Sequence, residues 1–148
     1  MGKATFYYKQ PNAPAPNKPN HIGSTILINY NGQVLLESRK DSNRWAFIGG
    51  GLMLNETLLE CVKRETFEET GIVLSDENIK FCKLYDDPSI IIAYPDGNFI
   101  RSIMPLYTTT LLKIPNLKCS EESTELRFFF KRRIEKNKHS GNPYTNFN

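Results

Sequence analysis

Residues 50 to 72 read GGLMLNETLLECVKRETFEETGI. At 100° per residue, Leu58, Leu59, Val62 and Thr66 gather on one helical face, suited to packing on a sheet. Glu65, Glu68 and Glu69 fall on an adjacent face, and Glu69 projects between Leu58 and Val62, close to the apolar stripe. Asn55 is the expected N-cap, with Glu56 well placed for the helix dipole in the first turn. The helix is expected to run to Thr70 and to stop at Gly71 as a left-handed C′ residue. Gly49, Gly50 and Gly51, just upstream, let backbone approach a ligand closely, and a glycine-rich turn opening a helix helps to hold anions.

The acidic cluster is costly unless something compensates it. Glu65 stands at i,i+3 and i,i+4 to Glu68 and Glu69, and each like-charge pair costs about 0.2–0.5 kcal/mol. All three glutamates lie in the last two turns, where the macrodipole disfavours anions. Glu69 also faces desolvation beside the apolar stripe. A hard divalent cation offsets all three costs, and Mg²⁺ prefers carboxylate oxygens together with waters and substrate phosphates. The competing reading is a solvated acidic patch balanced by Lys63 and Arg64.

Working outward, Ser24 to Tyr30 alternates and is rich in β-branched residues, as a strand is. Asn31-Gly32 is a two-residue hairpin signal, and Gln33 to Glu37 is the return strand. Trp45 to Ile48 is a short apolar strand leading into the glycines. Downstream, Ile79 to Tyr85, Ile90 to Tyr94, Phe99 to Leu112 and Glu125 to Phe130 read as strands, with a turn at Pro95 to Asn98. Pro105 places the third of these at a sheet edge or at a bulge. Lys131 to Lys138 is expected to form a short helix. Strands, a long helix, then more strands argue for a mixed α/β sandwich and against a doubly wound nucleotide fold.

The chain has 148 residues, 39% hydrophobic and 24% charged, which suits one soluble globular domain with a proper core. Its apolar runs are too short to span a bilayer. Cys61, Cys82 and Cys119 are widely spaced and odd in number, so reduced thiols and a cytoplasmic setting are expected. The net charge of +3 excludes little. Lys131-Arg132-Arg133 is too short a basic cluster to argue for nucleic acid, and none is expected as a partner. His21 and His139 have no metal-ligand spacing. Residues 1–20, with Pro11, Pro14, Pro16 and Pro19, read as an extended arm. Its Phe6, Tyr7 and Tyr8 need burial, either against the arm's own domain or in a homodimer. The domain proper is expected over 21–138 and a polar tail over 139–148.

Taken together, residues 50–72 resemble the Nudix box, Gx5Ex7REUxEExGU with U bulky and apolar. Gly50, Glu56, Arg64-Glu65, Glu68-Glu69, Gly71 and Ile72 stand at the fixed positions, and only the first U departs, as Thr66. The lead-in from Trp45 to Gly51 and the late Glu-Leu-Arg-Phe-Phe strand look like the family's layout, although Ile48 stands where many members have proline. The resemblance implies an α/β/α sandwich with a mixed central sheet. It also implies hydrolysis of the pyrophosphate bond in a small nucleotide substrate, a nucleoside diphosphate linked to another group, with Mg²⁺ or alternatively Mn²⁺ as cofactor. Carried over by position, Glu65, Glu68 and Glu69 would ligate metal, with the carbonyl of Gly49 or Gly50. Glu56 and Arg64 would support them. The general base would be a box glutamate or Glu125, the latter alternatively a further metal ligand, with Glu121 and Glu122 nearby. Arg39 and Tyr85 are expected at the substrate. A non-catalytic nucleotide sensor on the same fold is the alternative. The substrate itself is open among nucleoside triphosphates, ADP-ribose, dinucleoside polyphosphates and nucleotide sugars.

Overall fold

The structure, a computed structural model, describes residues 4–132. Nine strands form it: β1 (Thr5–Tyr7), β2 (His21–Tyr30), β3 (Gln33–Arg39), β4 (Trp45–Ala46), β5 (Ile48–Gly51), β6 (Lys80–Tyr85), β7 (Ile91–Ala93), β8 (Phe99–Thr110) and β9 (Ser123–Phe130). One α-helix, α1 (Leu58–Thr70), lies between β5 and β6, followed by a 3₁₀ turn at Asp76–Asn78. Lys131 and Arg132 are helical. The rest of the expected 131–138 helix and the 139–148 tail, with Arg133 and His139, lie outside the described residues.

The sheet is mixed because β2 and β8 run parallel, from His21↔Ser102 to Asn29↔Thr110, while the other pairs are antiparallel. On its other edge β2 meets β5 over Gly23↔Gly51 to Ile26↔Ile48. It meets β3 only at Asn29↔Val34 and Tyr30↔Gln33, around the hairpin. Asn31 and Gly32 both take positive φ there (48° and 72°), as a two-residue turn between twisted strands requires. β9 then lines β3 along its length, with a register shift between Ser38 and Arg39.

Alternation divides the apolar residues between the two faces. Ile26, Ile28, Leu35 and Ile48 pack with Val62 of α1 and with Ile72, Leu74 and Ile79. Val34 and Leu36 pack with Leu27, Trp45, Phe47 and Phe129 on the opposite face. The described residues therefore place one helical layer on the sheet.

Pro105 lies at an irregularity, as one half of the expectation had it, and only its placement at a sheet edge is corrected. β8 is an inner strand, with β6 and β7 on one side and β2 on the other. Pairing with β2 lapses after Ile22↔Ile103 and resumes in the same register at Thr25↔Leu106, while Pro105 pairs with Leu84 of β6, next to the register shift between Phe81 and Lys83. The ring that lacks an N–H thus sits where the parallel ladder lapses.

The helix start is a second correction. Thr57, not Asn55, is the N-cap: its hydroxyl oxygen accepts the Glu60 N–H at 3.1 Å. Glu56 therefore precedes the helix, and its carboxylate accepts the Met53 N–H at 2.9 Å. Gly71 closes the helix in the left-handed region (φ 79°), with its N–H donating to the Phe67 carbonyl. Thr66, fully buried, satisfies its hydroxyl on the Val62 carbonyl at 2.6 Å.

The proline-rich arm lies on its own chain. β1 pairs with β7 (Phe6↔Ile92) as the outermost strand. The Asn17 side chain donates to the Gly97 carbonyl and accepts the Phe99 N–H, both at 2.9 Å.

Candidate active site

The site forms where β5 runs alongside β2 and α1 crosses behind it. Ser24↔Gly50 and Thr25↔Gly49 are register partners, and the Ser24 hydroxyl donates to the Leu58 carbonyl at 2.7 Å. Strand and helix are so close that a Cβ at Gly50 would fall on the Glu65 carboxylate, 2.5 Å from its Oε1. The Gly49 N–H donates to Glu69 Oε2 at 3.3 Å. Glycine is required at Gly50 because a side chain would occupy the space the Glu65 carboxylate uses, and at Gly49 because a Cβ would meet the backbone of Ser24 and Thr25.

Arg64 ties the motif together. Its Nε and Nη2 donate to Glu56 (2.9 and 2.7 Å), its Nη1 to Glu65 (2.8 Å) and Glu68 (3.1 Å), and Nη2 also reaches the Gly51 carbonyl (2.9 Å). The guanidinium fork suits this multidentate role. Through these hydrogen bonds Arg64 brings the Glu56 carboxyl down to about 2. Its folded value thus lies below the ordinary carboxylate value of about 4, so the pair's contribution is present above that ordinary value and is lost as pH falls towards 2. Glu56→Gln should cost about 1 kcal/mol near neutrality, the scale of a single well-formed ion pair. That deficit should vanish on acidification, as thermal melts of both proteins from about pH 6 to about pH 2 would show. A deficit constant with pH would mean that Glu56 acts by packing alone.

Glu69 is the buried member of the cluster. It is 2% exposed, and its Oε1 has no hydrogen-bond partner among the described residues. Burial first, and then the Glu37 carboxylate against it, raise its pKa far above the ordinary carboxylate range. Glu65 is largely covered, and Glu68 is half exposed. Among the described residues no three His, Cys, Asp or Glu side chains converge into a ready-made metal cage. A divalent cation still fits the donor set. The helix supplies oxygen donors only, and a buried carboxylate oxygen stands without a hydrogen-bond partner among the described residues.

The remaining expected residues are scattered. Glu125 opposes Ser38 in the β3–β9 register and bonds Arg127 at 2.8 Å. Arg127 lies over the rings of Trp45 and Phe129, 5.1 and 5.7 Å from their centres. Glu125 is therefore on the face opposite α1 and is not brought to the helix glutamates. Of the late acids it is Glu122 that comes near: its carbonyl accepts the Lys40 N–H at 3.0 Å, and its charge acts on Glu37. Arg39 is engaged on both sides, donating to Glu37 at 3.0 Å and to both oxygens of Asp41 at 3.0 and 2.9 Å. Tyr85 packs with Tyr8, Ile90 and Met104. Met104 Cε lies 3.0 Å from where a Cβ of Gly23 would stand, which puts this cluster beside the glycine run.

Glu37 is the residue that the sequence reading passed over. It is fully buried on β3, on the same face as Leu35. The available signal was strand alternation, which puts an acid at an inward position two residues after a core leucine.

The family model described as NUDIX domain matches residues 19–145. An RNA pyrophosphohydrolase of Baumannia cicadellinicola subsp. Homalodisca coagulata is 41% identical over 54 residues, 36% of this chain and 34% of that protein. The chain thus spans about a third of the length of the curated relatives it matches. A MutT/nudix family protein from Enterococcus faecalis superposes with a TM-score of 0.63 at 30% identity, over 80% of this chain and 46% of that one. A bifunctional NMN adenylyltransferase/ADP ribose pyrophosphatase from Francisella tularensis, solved with AMP and a manganese ion, gives a TM-score of 0.62 at 27% identity. It is covered over 35% of its length and this chain over 77%.

Proposed function

We propose, because the chain belongs to the NUDIX domain family, that it hydrolyses a pyrophosphate bond in a nucleoside diphosphate linked to a further group. The observation that supports this reading most is the buried Glu69 carboxylate held against the glycine run, with one oxygen lacking a hydrogen-bond partner among the described residues. Mg²⁺ is the proposed cofactor, with Mn²⁺ as a substitute, and the manganese ion in the Francisella tularensis structure is in keeping with that choice. Glu65, Glu68, Glu69 and a carbonyl of Gly49 or Gly50 would hold it. The bound cation would supply charge neutralisation at the phosphate oxygens and a more acidic water.

The chain's own residues divide the remaining work. Arg64 holds Glu65 and Glu68 and clamps Glu56 against the Gly51 carbonyl, so the carboxylates are positioned before substrate arrives. Glu68, half exposed, is the helix carboxylate best placed to take a proton from the attacking water. Glu122 is the second candidate for that role. The Tyr85 cluster with Tyr8 and Met104 offers an apolar wall beside the site for the base or the attached group. No described helix is long and apolar enough to cross a membrane.

A hydrolysis screen with Mg²⁺ and Mn²⁺ tests the reading. It would cover nucleoside triphosphates, ADP-ribose, dinucleoside polyphosphates, nucleotide sugars and, given the relatives, 5′-triphosphorylated RNA. Released phosphate is read with and without added phosphatase. At least one small nucleotide should be cleaved, only with metal present. Cleavage confined to RNA ends would replace the substrate class. Metal-independent nucleotide binding without hydrolysis of any compound would favour a sensor.

A further inference from the structure

Glu37 stands outside the motif and on a different element from it. It is 0% exposed in the middle of β3, where the strand faces α1. One of its oxygens, Oε1, accepts from Arg39 at 3.0 Å. The other, Oε2, is buried without a hydrogen-bond partner. Glu69, reaching in from α1, also presents one buried oxygen, Oε1, without a partner. Glu37 shares the α1-facing side of β3 with Leu35, which packs with Val62 of α1, and each carboxyl group acts electrostatically on the other. Two neighbouring buried carboxylates, each with an unpartnered oxygen, do not both keep their charge unless a cation or a shared proton compensates them.

The surrounding charge decides between those two. Glu37 and Asp41 pair with Arg39, and Glu56, Glu65 and Glu68 pair with Arg64, whereas Glu69 is bonded to the Gly49 N–H. A shared proton neutralises one carboxylate of the excess, whereas a divalent cation neutralises two and occupies both unpartnered oxygens. An apolar residue would fill this inward position of β3 without any desolvation cost.

We infer that Glu37 is a further ligand of the divalent cation held by Glu69, supplying an oxygen from β3 across from the helix. Arg39 acts as a positioning residue, fixing Oε1 of Glu37 so that Oε2 faces Glu69. The carboxylate of Asp41, accepting from Arg39 through both oxygens, fixes Arg39 in turn. The inference rests on the metal dependence proposed above and adds a residue to that site.

Direct metal binding tests it, with Mn²⁺ titrated by electron paramagnetic resonance into the parent chain, Glu37→Gln and Glu69→Gln. Glu37→Gln preserves shape and can still hydrogen-bond Glu69, so it mimics the shared-proton arrangement. It should weaken Mn²⁺ binding at least about tenfold, on the scale of losing a supporting contact to a metal ligand or more. Its melting temperature should rise less with Mn²⁺ than the parent's. Parental affinity in Glu37→Gln, with affinity lost in Glu69→Gln, overturns the role of Glu37 and leaves the proposed function standing. A parent chain that binds no Mn²⁺ overturns both. A measurement on the parent chain alone covers the case in which Glu37→Gln does not fold. There, the Glu37 side-chain carboxyl ¹³C signal should be quenched by Mn²⁺ as strongly as that of Glu69. A persisting Glu37 signal beside a quenched Glu69 signal overturns the assignment.

Discussion

Glu69→Gln should lower turnover by on the order of 10³-fold while leaving the metal-free chain at least as stable as the parent. The two halves of this expectation have one cause. Glu69 is buried against Glu37, and its raised pKa means that the folded chain holds a proton which the unfolded chain releases at ordinary carboxylate pH. For such a group, folded stability is greatest at low pH and declines as pH rises above the unfolded value of about 4. Glutamine is the permanently neutral analogue. It keeps the shape, can accept the Gly49 N–H, and removes the declining slope. Metal-free melts should therefore fall with rising pH in the parent and stay flatter in the variant. Metal reverses the order: a cation at about 100 times its dissociation constant adds about 2.7 kcal/mol to a chain that binds it. The parent should gain that increment and Glu69→Gln should not. A variant with parental turnover and a parental metal-induced shift would remove Glu69 from the site.

How far the sequence carried this picture depends on which residues had local partners. The helix face was legible because Val62, Thr66 and Glu69 recur at helical spacing, and all three are buried in α1. The N-cap was misplaced because Asn55 and Thr57 are both capping residues. What separates them is the contact of Glu56 with Met53 and Arg64, which ends the loop before the helix begins. Glu125 was misdirected for a non-local reason. Its face is set by the register Ser38↔Glu125, which belongs to the pairing of β3 with β9 and to no pattern within either strand. Glu37 is the opposite case. Its inward position was readable from Leu35, but the acid that acts on it from across the core, Glu69, lies on α1, and a buried acid is informative only once that neighbour is seen. Pro105 shows the same limit: the missing donor was evident, and the gap in the parallel ladder that accommodates it was not.

Gly49→Ala and Gly50→Ala should fail in different ways, although the residues are adjacent. A Cβ on Gly49 would overlap the Ser24 carbonyl oxygen and stand 2.7 Å from the Thr25 Cα. Both are backbone atoms of β2, so relief requires β2 and β5 to part, at about 3 kcal/mol or more. That separation also withdraws the Gly49 N–H from Glu69. A Cβ on Gly50 meets only the end of a side chain, with Glu65 Oε1 and Oε2 at 2.5 and 2.6 Å. Glu65 can swing away, giving up its 2.8 Å bond to Arg64, at about 1 kcal/mol. It then no longer stands where the cluster requires it, and turnover should fall on the order of 10²-fold. Denaturant midpoints and steady-state rates, measured together, separate the two effects. Gly49→Ala should lose most of its stability, and Gly50→Ala should melt near the parent yet turn over poorly. If Gly50→Ala kept the parental rate, the glycine run would be a tight turn and nothing more. The loss of rate at parental stability would instead show that the space beside β5 is reserved for the Glu65 carboxylate.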